Sequence, residues 1–348
     1  MNRGIQTLIL LPLLIGSHSV MAEFECSGPD CNKINRDYGA YYSDFSKYYL
    51  PALAKDELLA QSFGSIALVP YHVTTQKFTV GIFGTASFTN ERKIPVRNDL
   101  IENKTKNMGE RGISLQPGGY AGVNIGWLAS SLQTLFSKYD QESTFLDRFE
   151  VYGFGYQYGS LKSDQANSTA TNLHLRGGMI RFTIIPEFGW GRFINFSGLS
   201  IGAGRADSTH NINIKFSDTL GIKTDIKSVE WTGNNEIIYQ GTTVTRFGDI
   251  RTGASVLDFI SIYLGIGKFS GTGSAFLSFS RDASYATFSD VTEYRFKAET
   301  KASDRFSDIY YIAGANIGPF TLQGMQTVSR KNQLRKAYAV TIGLTYRY

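Results

Sequence analysis

The last eleven residues, Tyr338 to Tyr348, alternate in character. Tyr338, Val340, Ile342, Leu344, Tyr346 and Tyr348 form one set, and Ala339, Thr341, Gly343, Thr345 and Arg347 the other. Successive side chains on a strand point to opposite faces, so this ribbon has one oily, aromatic side and one small or polar side. Aromatics stand at both ends of the oily side with aliphatics between them. That is the layout of a strand crossing a bilayer, which needs about 9–11 residues and sets tyrosines at the two interfaces. Backbone polar groups find no water in hydrocarbon, so a membrane sheet has to close on itself. The rest of the chain must therefore supply a barrel.

The same alternation recurs upstream. From Gln76, Phe78, Val80, Ile82, Ala86 and Phe88 share a face opposite Thr79, Gly81, Thr85 and Ser87. Residues 91–118 break the pattern with charge and read as a long loop. Tyr120–Leu128 puts Ala121, Val123, Ile125 and Trp127 outward and Gly122, Asn124 and Gly126 inward. In Phe149–Leu161, Tyr152, Phe154, Tyr156 and Tyr158 alternate with small or polar residues and Val151. Leu173–Ile185 changes phase at Gly177-Gly178, which a glycine bulge explains, and His174, Arg176, Arg181 and Thr183 then face inward. Trp190 falls in a short turn over 186–192, followed by a weaker strand, Phe193–Gly204. Residues 205–243 read as a surface excursion containing a hairpin.

Alternation then returns. Asp249, Arg251 and Ser255 face inward against Ile250, Ala254 and Val256, and a turn leads into Phe259–Ser270. Further strands fall at 273–281 and 286–300, the second with Glu293, Arg295 and Lys297 inward opposite Tyr294, Phe296 and Ala298. Ile309–Ile317 turns at Gly318-Pro319 into Phe320–Ser329, and a basic loop with Arg330, Lys331, Arg335 and Lys336 precedes the closing strand. The expected fold is all-β: a transmembrane antiparallel barrel of about 12 strands, within a range of about 10–14, over residues 76–348. With the C-terminus periplasmic, the short turns fall in the periplasm and 91–118 and 205–243 outside. A soluble sandwich would alternate too. The aromatics at strand ends, and polar faces rich in Gly, Ser and Thr, favour the barrel.

The N-terminus is organised differently. Arg3, the apolar run Ile5–Ile15 and the small-residue site Val20-Met21-Ala22 read as a secretory signal over 1–22. No later segment is long and apolar enough for a membrane helix, so the exported chain reaches the bacterial outer membrane. Cys26 and Cys31, the only two cysteines, are expected to pair in an oxidising compartment, and Glu23-Phe24-Glu25 before them does not suit lipidation. Tyr42, Phe45, Tyr49 and Leu53 recur at helical spacing, with Pro51 in the first turn of a second helix. Residues 23–75 thus form a periplasmic or plug segment, whose helix fills the lumen, packs on the rim or docks on another protein.

Net charge is +5, or +4 once Arg3 leaves with the signal, and both signs are interspersed, which gives no nucleic-acid footprint. His72, His174 and His210 lie far apart, and no HExxH, P-loop, GxSxG or phospholipase-like His-x-Ser-Asn pattern occurs. No catalytic, metal or cofactor site is expected; an outer-membrane hydrolase is the minority alternative. The inward charges Arg176, Arg181, Asp249, Arg251, Glu293, Arg295 and Lys297 read either as a selectivity lining or, with preference, as an internal salt-bridge network.

The Cys26-x4-Cys31 pair with its tyrosine-rich helix, Gly126-Trp127-Leu128, Gly178-Met179-Ile180-Arg181-Phe182 and Asp249-Ile250-Arg251-Thr252-Gly253 resemble a group of leptospiral outer-surface adhesins. The resemblance covers most of the mature chain. It implies a surface protein in outer-membrane lipid that engages host matrix or plasma proteins through its long loops. A narrow or gated channel for small solutes is the second functional expectation.

Overall fold

A computed structural model describes residues 20–29, 31–68, 77–98, 104–136, 145–163, 168–189, 193–223, 228–256, 259–286, 291–328 and 335–348. The chain opens with β1 (Val20–Ser27), α1 (Cys31–Asp44), a π-helical turn over Phe45–Tyr49 and α2 (Leu50–Ala67). Strands β2 (Phe78–Thr89), β3 (Arg92–Asn98), β4 (Lys104–Glu110) and β5 (Ile113–Asn124) follow, then α3 (Ile125–Phe136). Next come β6 (Phe149–Ser163), β7 (Ser168–Ile185), the two-residue β8 (Phe188–Gly189), β9 (Ile194–Lys223) and β10 (Ser228–Val256). β11 (Ile260–Ala286), β12 (Val291–Ile317), β13 (Phe320–Thr327) and β14 (Ala337–Arg347) complete it.

Twelve strands share one sheet, and among the described residues ten of them close a ring. The order is β2, β5, β6, β7, β9, β10, β11, β12, β13, β14 and back to β2, antiparallel at each step. Closure removes the ring's edges, as a bilayer requires. β8 lies beside β9, and β1 pairs with β12 from Val20↔Thr300 to Ser27↔Glu293. The sheet has the expected twelve strands and the closed ring ten, within the expected range, though by a different route. Residues 273–281 lie in the upper half of β11, 291–300 of the expected 286–300 strand lie in the upper half of β12, and 205–243 holds the upper halves of β9 and β10. These four strands run 30, 29, 27 and 27 residues in chain order.

An apolar belt surrounds the end that carries the short turns and the C-terminus. Phe182, Ile201, Ile250, Ile266 and Tyr311 lie on one rung across five strands, and the last four are exposed. Ile262, Leu264, Leu322, Ile342 and Leu344 continue the belt toward the turns. Inside it the wall is polar, with buried Thr79, Thr85, Ser87, Ser255, Ser261, Thr341 and Thr345. Above the belt the polarity inverts. Lys268, Ser270, Thr272 and Ser274 face out from β11, while Phe269, Ala275 and Leu277 face in. The outer face there meets water and the inner face meets a helix, so the apolar residues change sides.

That inversion corrects one sequence expectation: Tyr294, Phe296 and Ala298 are the buried, inward residues, and Glu293, Arg295 and Lys297 are exposed on the outside. A second correction concerns β7. Its pairing runs unbroken through Gly177 and Gly178, with the register shift at Thr183/Ile185, so Leu173, Leu175 and Met179 face inward and Arg176 faces out. A third concerns β5, which starts at Ile113, inside the expected loop, and stops at Asn124. There the Asn124 side chain accepts a hydrogen bond from the Trp127 N–H at 2.9 Å and caps α3, so Ile125 and Trp127 are helical. The remainder of the expected 91–118 loop is largely the β3–β4 hairpin.

α2 fills the ring. Thirteen of its residues are buried, and its neighbours include β2, β5, β9, β10, β11, β12 and β14. A helix composed of Ala, Leu, Ser, Phe and Ile around most of its circumference suits a site enclosed on all sides. Phe63, 0 % exposed, lies 5.4 Å from the Phe269 ring and 6.0 Å from that of Tyr310. Each buried Leu, Ile or Phe of this kind contributes about 1.5–3 kcal/mol. Gly64 lets the helix lie against the wall, since a Cβ there would come within 2.8 Å of both Ser87 Oγ and Gln116 Nε2. The π turn has a local cause. Pro51 lacks an N–H and crowds the turn before it, and the widened turn has the Leu50 N–H bonded to Phe45 O.

Candidate functional site

Polar groups tie α2 to the wall along its length. Gln116 Nε2 donates to Gln61 O at 2.7 Å, and Ser87 Oγ donates to Ala60 O at 2.7 Å. The Gln61 side chain donates to Ser208 Oγ at 3.0 Å and accepts from the Tyr239 hydroxyl at 3.0 Å. Ser62 and Thr245 share a 2.6 Å hydrogen bond. At the lower end, Ala67 O accepts from Gln323 Nε2 and Thr341 Oγ1, both at 3.0 Å, which satisfies a helix carbonyl otherwise orphaned in the lumen.

Below that end lies a buried charge cluster. Arg181 Nη2 donates to Asp249 Oδ1 at 3.0 Å, and Arg251 Nη2 donates to Asp249 Oδ2 at 2.8 Å. Arg251 also reaches Gln323 Oε1 at 3.4 Å, and through Gln323 it stands near the negative end of the helix dipole. Of the seven charges expected in the lumen, these three come together. Arg176 lies outside, 3.8 Å from Asp207. Arg295 meets Asp282 at 2.7 Å and Lys297 meets Glu299 at 2.8 Å, both on the outer face.

The upper clasp centres on Asp56, which is fully buried on α2. Arg92 of β3 approaches it at 3.0 Å and Arg335 at 3.0 Å. Arg92 also holds Glu110 at 2.8 Å, and Arg335 holds Asp304 of β12 at 2.6 Å. Burial, reinforced by the negative charge of Asp56, pushes the Glu110 carboxyl up to about 7. Arg335, expected in a solvated basic loop, is thus part of the plug's attachment, and the Lys336 N–H donates to Asn90 Oδ1 at 2.6 Å. Arg330 and Lys331 lie outside the described residues, as do His72 and Trp190. The clasp was missed from sequence. Its one signal was the charged run Lys55-Asp56-Glu57 in a helix otherwise mostly apolar or small.

At the far end the N-terminal segment joins the long strands. Phe24, Tyr42 and Phe296 stack, with Tyr42 and Phe296 ring centroids 4.0 Å apart. Cys26 and Cys31 are bonded, sulfur to sulfur, at 2.03 Å. A cleft of about 570 Å³ opens beside them, lined by Glu25, Ser27, Thr232, Asn234, Asp282, Glu293 and Arg295. No group of three or more His, Cys, Asp or Glu among the described residues is placed to hold a metal ion.

The family model for Lsa36-like proteins matches residues 19–348. The chain belongs to the Lsa36-like family. Its closed ring and apolar belt make this Lsa36-like protein an outer-membrane β-barrel. No curated protein matches it. Similar solved structures include the translocator domain of the autotransporter NalP from Neisseria meningitidis, 8 % identical, TM-score 0.27, covering 90 % of this chain and 98 % of that one. The toluene transporter TodX of P. putida is 5 % identical, TM-score 0.23, covering 81 % and 92 %. The attachment invasion locus protein Ail of Yersinia pestis is 10 % identical, TM-score 0.23, covering 78 % and 99 %.

Proposed function

We propose that the protein is a surface-display barrel: a membrane ring that raises the upper halves of β9–β12 beyond the outer membrane, where they bind host matrix or plasma proteins. Strand length carries this reading. A bilayer takes about 9–11 residues of a strand, whereas these four run 27 to 30 and turn a polar outer face to water above the belt. The cleft beside Glu25 and Asp282 is the candidate contact surface.

Deleting all of 205–243 would also remove Ser208 and Tyr239, which hold Gln61. The informative variant replaces residues 218–233 with Asn-Gly and keeps the Ser217↔Asn234 rung. Cells carrying it are expected to lose adhesion to immobilised matrix or plasma proteins while the barrel still shifts on an unheated detergent gel. Unchanged adhesion sinks the reading.

The alternative is a gated channel. Polar ties rather than covalent bonds hold α2, which favours a plug that can leave. Removing residues 31–67 should then raise single-channel conductance in a planar bilayer, and a silent truncated barrel counts against it.

A further inference from the structure

We infer that the barrel passes its own N-terminal segment to the outer surface, so that β1 and the Cys26–Cys31 disulfide are exported through the ring that the same chain builds. Three placements carry this. The part of β1 beyond the expected signal, Glu23–Ser27, pairs with β12 at residues 293–297, twenty or more residues from the short-turn end at Ile317. At about 3.3 Å per residue, that is over ~65 Å along the strand. α2 then descends inside the ring: Leu50, Ala54 and Leu58 cluster with Tyr239, Leu277 and Phe296 of the upper wall, and Ala67 O meets Gln323, close to the Phe320 end of β13. The chain resumes at Lys77, and Phe78 exchanges backbone hydrogen bonds with Tyr348, both 3.0 Å, at the opposite mouth.

The polypeptide thus enters one mouth of the ring and leaves by the other. The ring is closed by strand pairing, so the finished barrel offers the helix no lateral way in. With the short turns and C-terminus in the periplasm, the entry mouth is the cell exterior. A chain delivered to the periplasm starts with its N-terminus on the wrong side for this arrangement. The segment ahead of α2 therefore crosses the outer membrane inside the barrel. On this reading the plug stays in the lumen while β1 and the disulfide stand outside the cell, which goes beyond ligand binding by the hairpins. The activity is self-export of a short N-terminal segment.

The unmodified protein tests this, because Cys26 and Cys31 are its only cysteines. Intact cells are treated with an outer-membrane-impermeant phosphine and then with a maleimide-polyethylene glycol too bulky for pores. Two adducts per chain are expected, at the same yield as in permeabilised cells. Pro319→Cys in a Cys26→Ser/Cys31→Ser background should label only after permeabilisation. Adducts at Cys26 and Cys31 that need permeabilisation overturn the inference, and so does labelling of the short turn in intact cells. Should the triple variant not fold, the unmodified chain still decides. Adhesion plays no part in this readout, so its loss or survival in the hairpin variant is a separate result.

Discussion

Asp56, itself fully buried, joins two partly exposed arginines from distant parts of the chain. Removing one member of a buried ion pair strands the others, at a cost of about 3 kcal/mol, the low end for such pairs because Arg92 and Arg335 are partly exposed. Asp56→Asn should therefore lower the temperature at which the folded band disappears on detergent gels. Two buried groups give opposite pH limbs. Glu110 is raised from 4.5 to about 7, so its contribution is complete below 4.5 and lost as pH climbs through 7. His210, buried beside the Tyr156 hydroxyl at 3.0 Å, is lowered by burial from 6.5 to about 4. Its contribution is complete above 6.5 and lost as pH falls toward 4. Melting midpoints across this range should show Glu110→Gln flattening the first limb and His210→Gln the second. An unchanged profile in either variant refutes that assignment.

The plug depends on close approach. Gly64→Leu would force a large side chain into Ser87 and Gln116, an overpacking that costs typically about 1–3 kcal/mol. The belt is remote from the change, so the expected result is a less heat-resistant barrel that still inserts in lipid. A melting temperature equal to that of the native protein would show that α2 is not held where the wall places it. The β3–β4 hairpin belongs to the same unit. Arg92 reaches Asp56 from it, and the Tyr49 hydroxyl donates to Gly109 O at 3.0 Å. Period-two alternation could not reveal this, because the hairpin stands outside the ring and its residues answer to the plug.

For the molecule as a whole, the height at which outward residues turn from apolar to polar marks the membrane's edge. Leu264→Arg, within the belt, should cost about 2–4 kcal/mol in a lipid-refolding titration. Thr272→Arg, eight residues along the same strand and above the belt, should stay within about 0.5 kcal/mol. Equal costs would place the bilayer elsewhere.

The alternation of the closing strand, and of Phe259–Ser270 and Asp249–Val256, was enough to specify a closed antiparallel barrel and which side of those strands meets lipid. A period of two requires only that neighbouring residues see different solvents. It carries no label for which solvent, and so the upper half of β12 was turned inside out: there water lies outside and α2 with its aromatic neighbours lies within. Strand length was equally silent, since a long strand with one inversion of polarity looks like two short ones. Whether Cys26 and Cys31 stand at one mouth or the other depended on residues more than 250 positions away, at 293–300 of β12. Local sequence sets the faces of a strand; only the assembled ring determines what lies on each side of it.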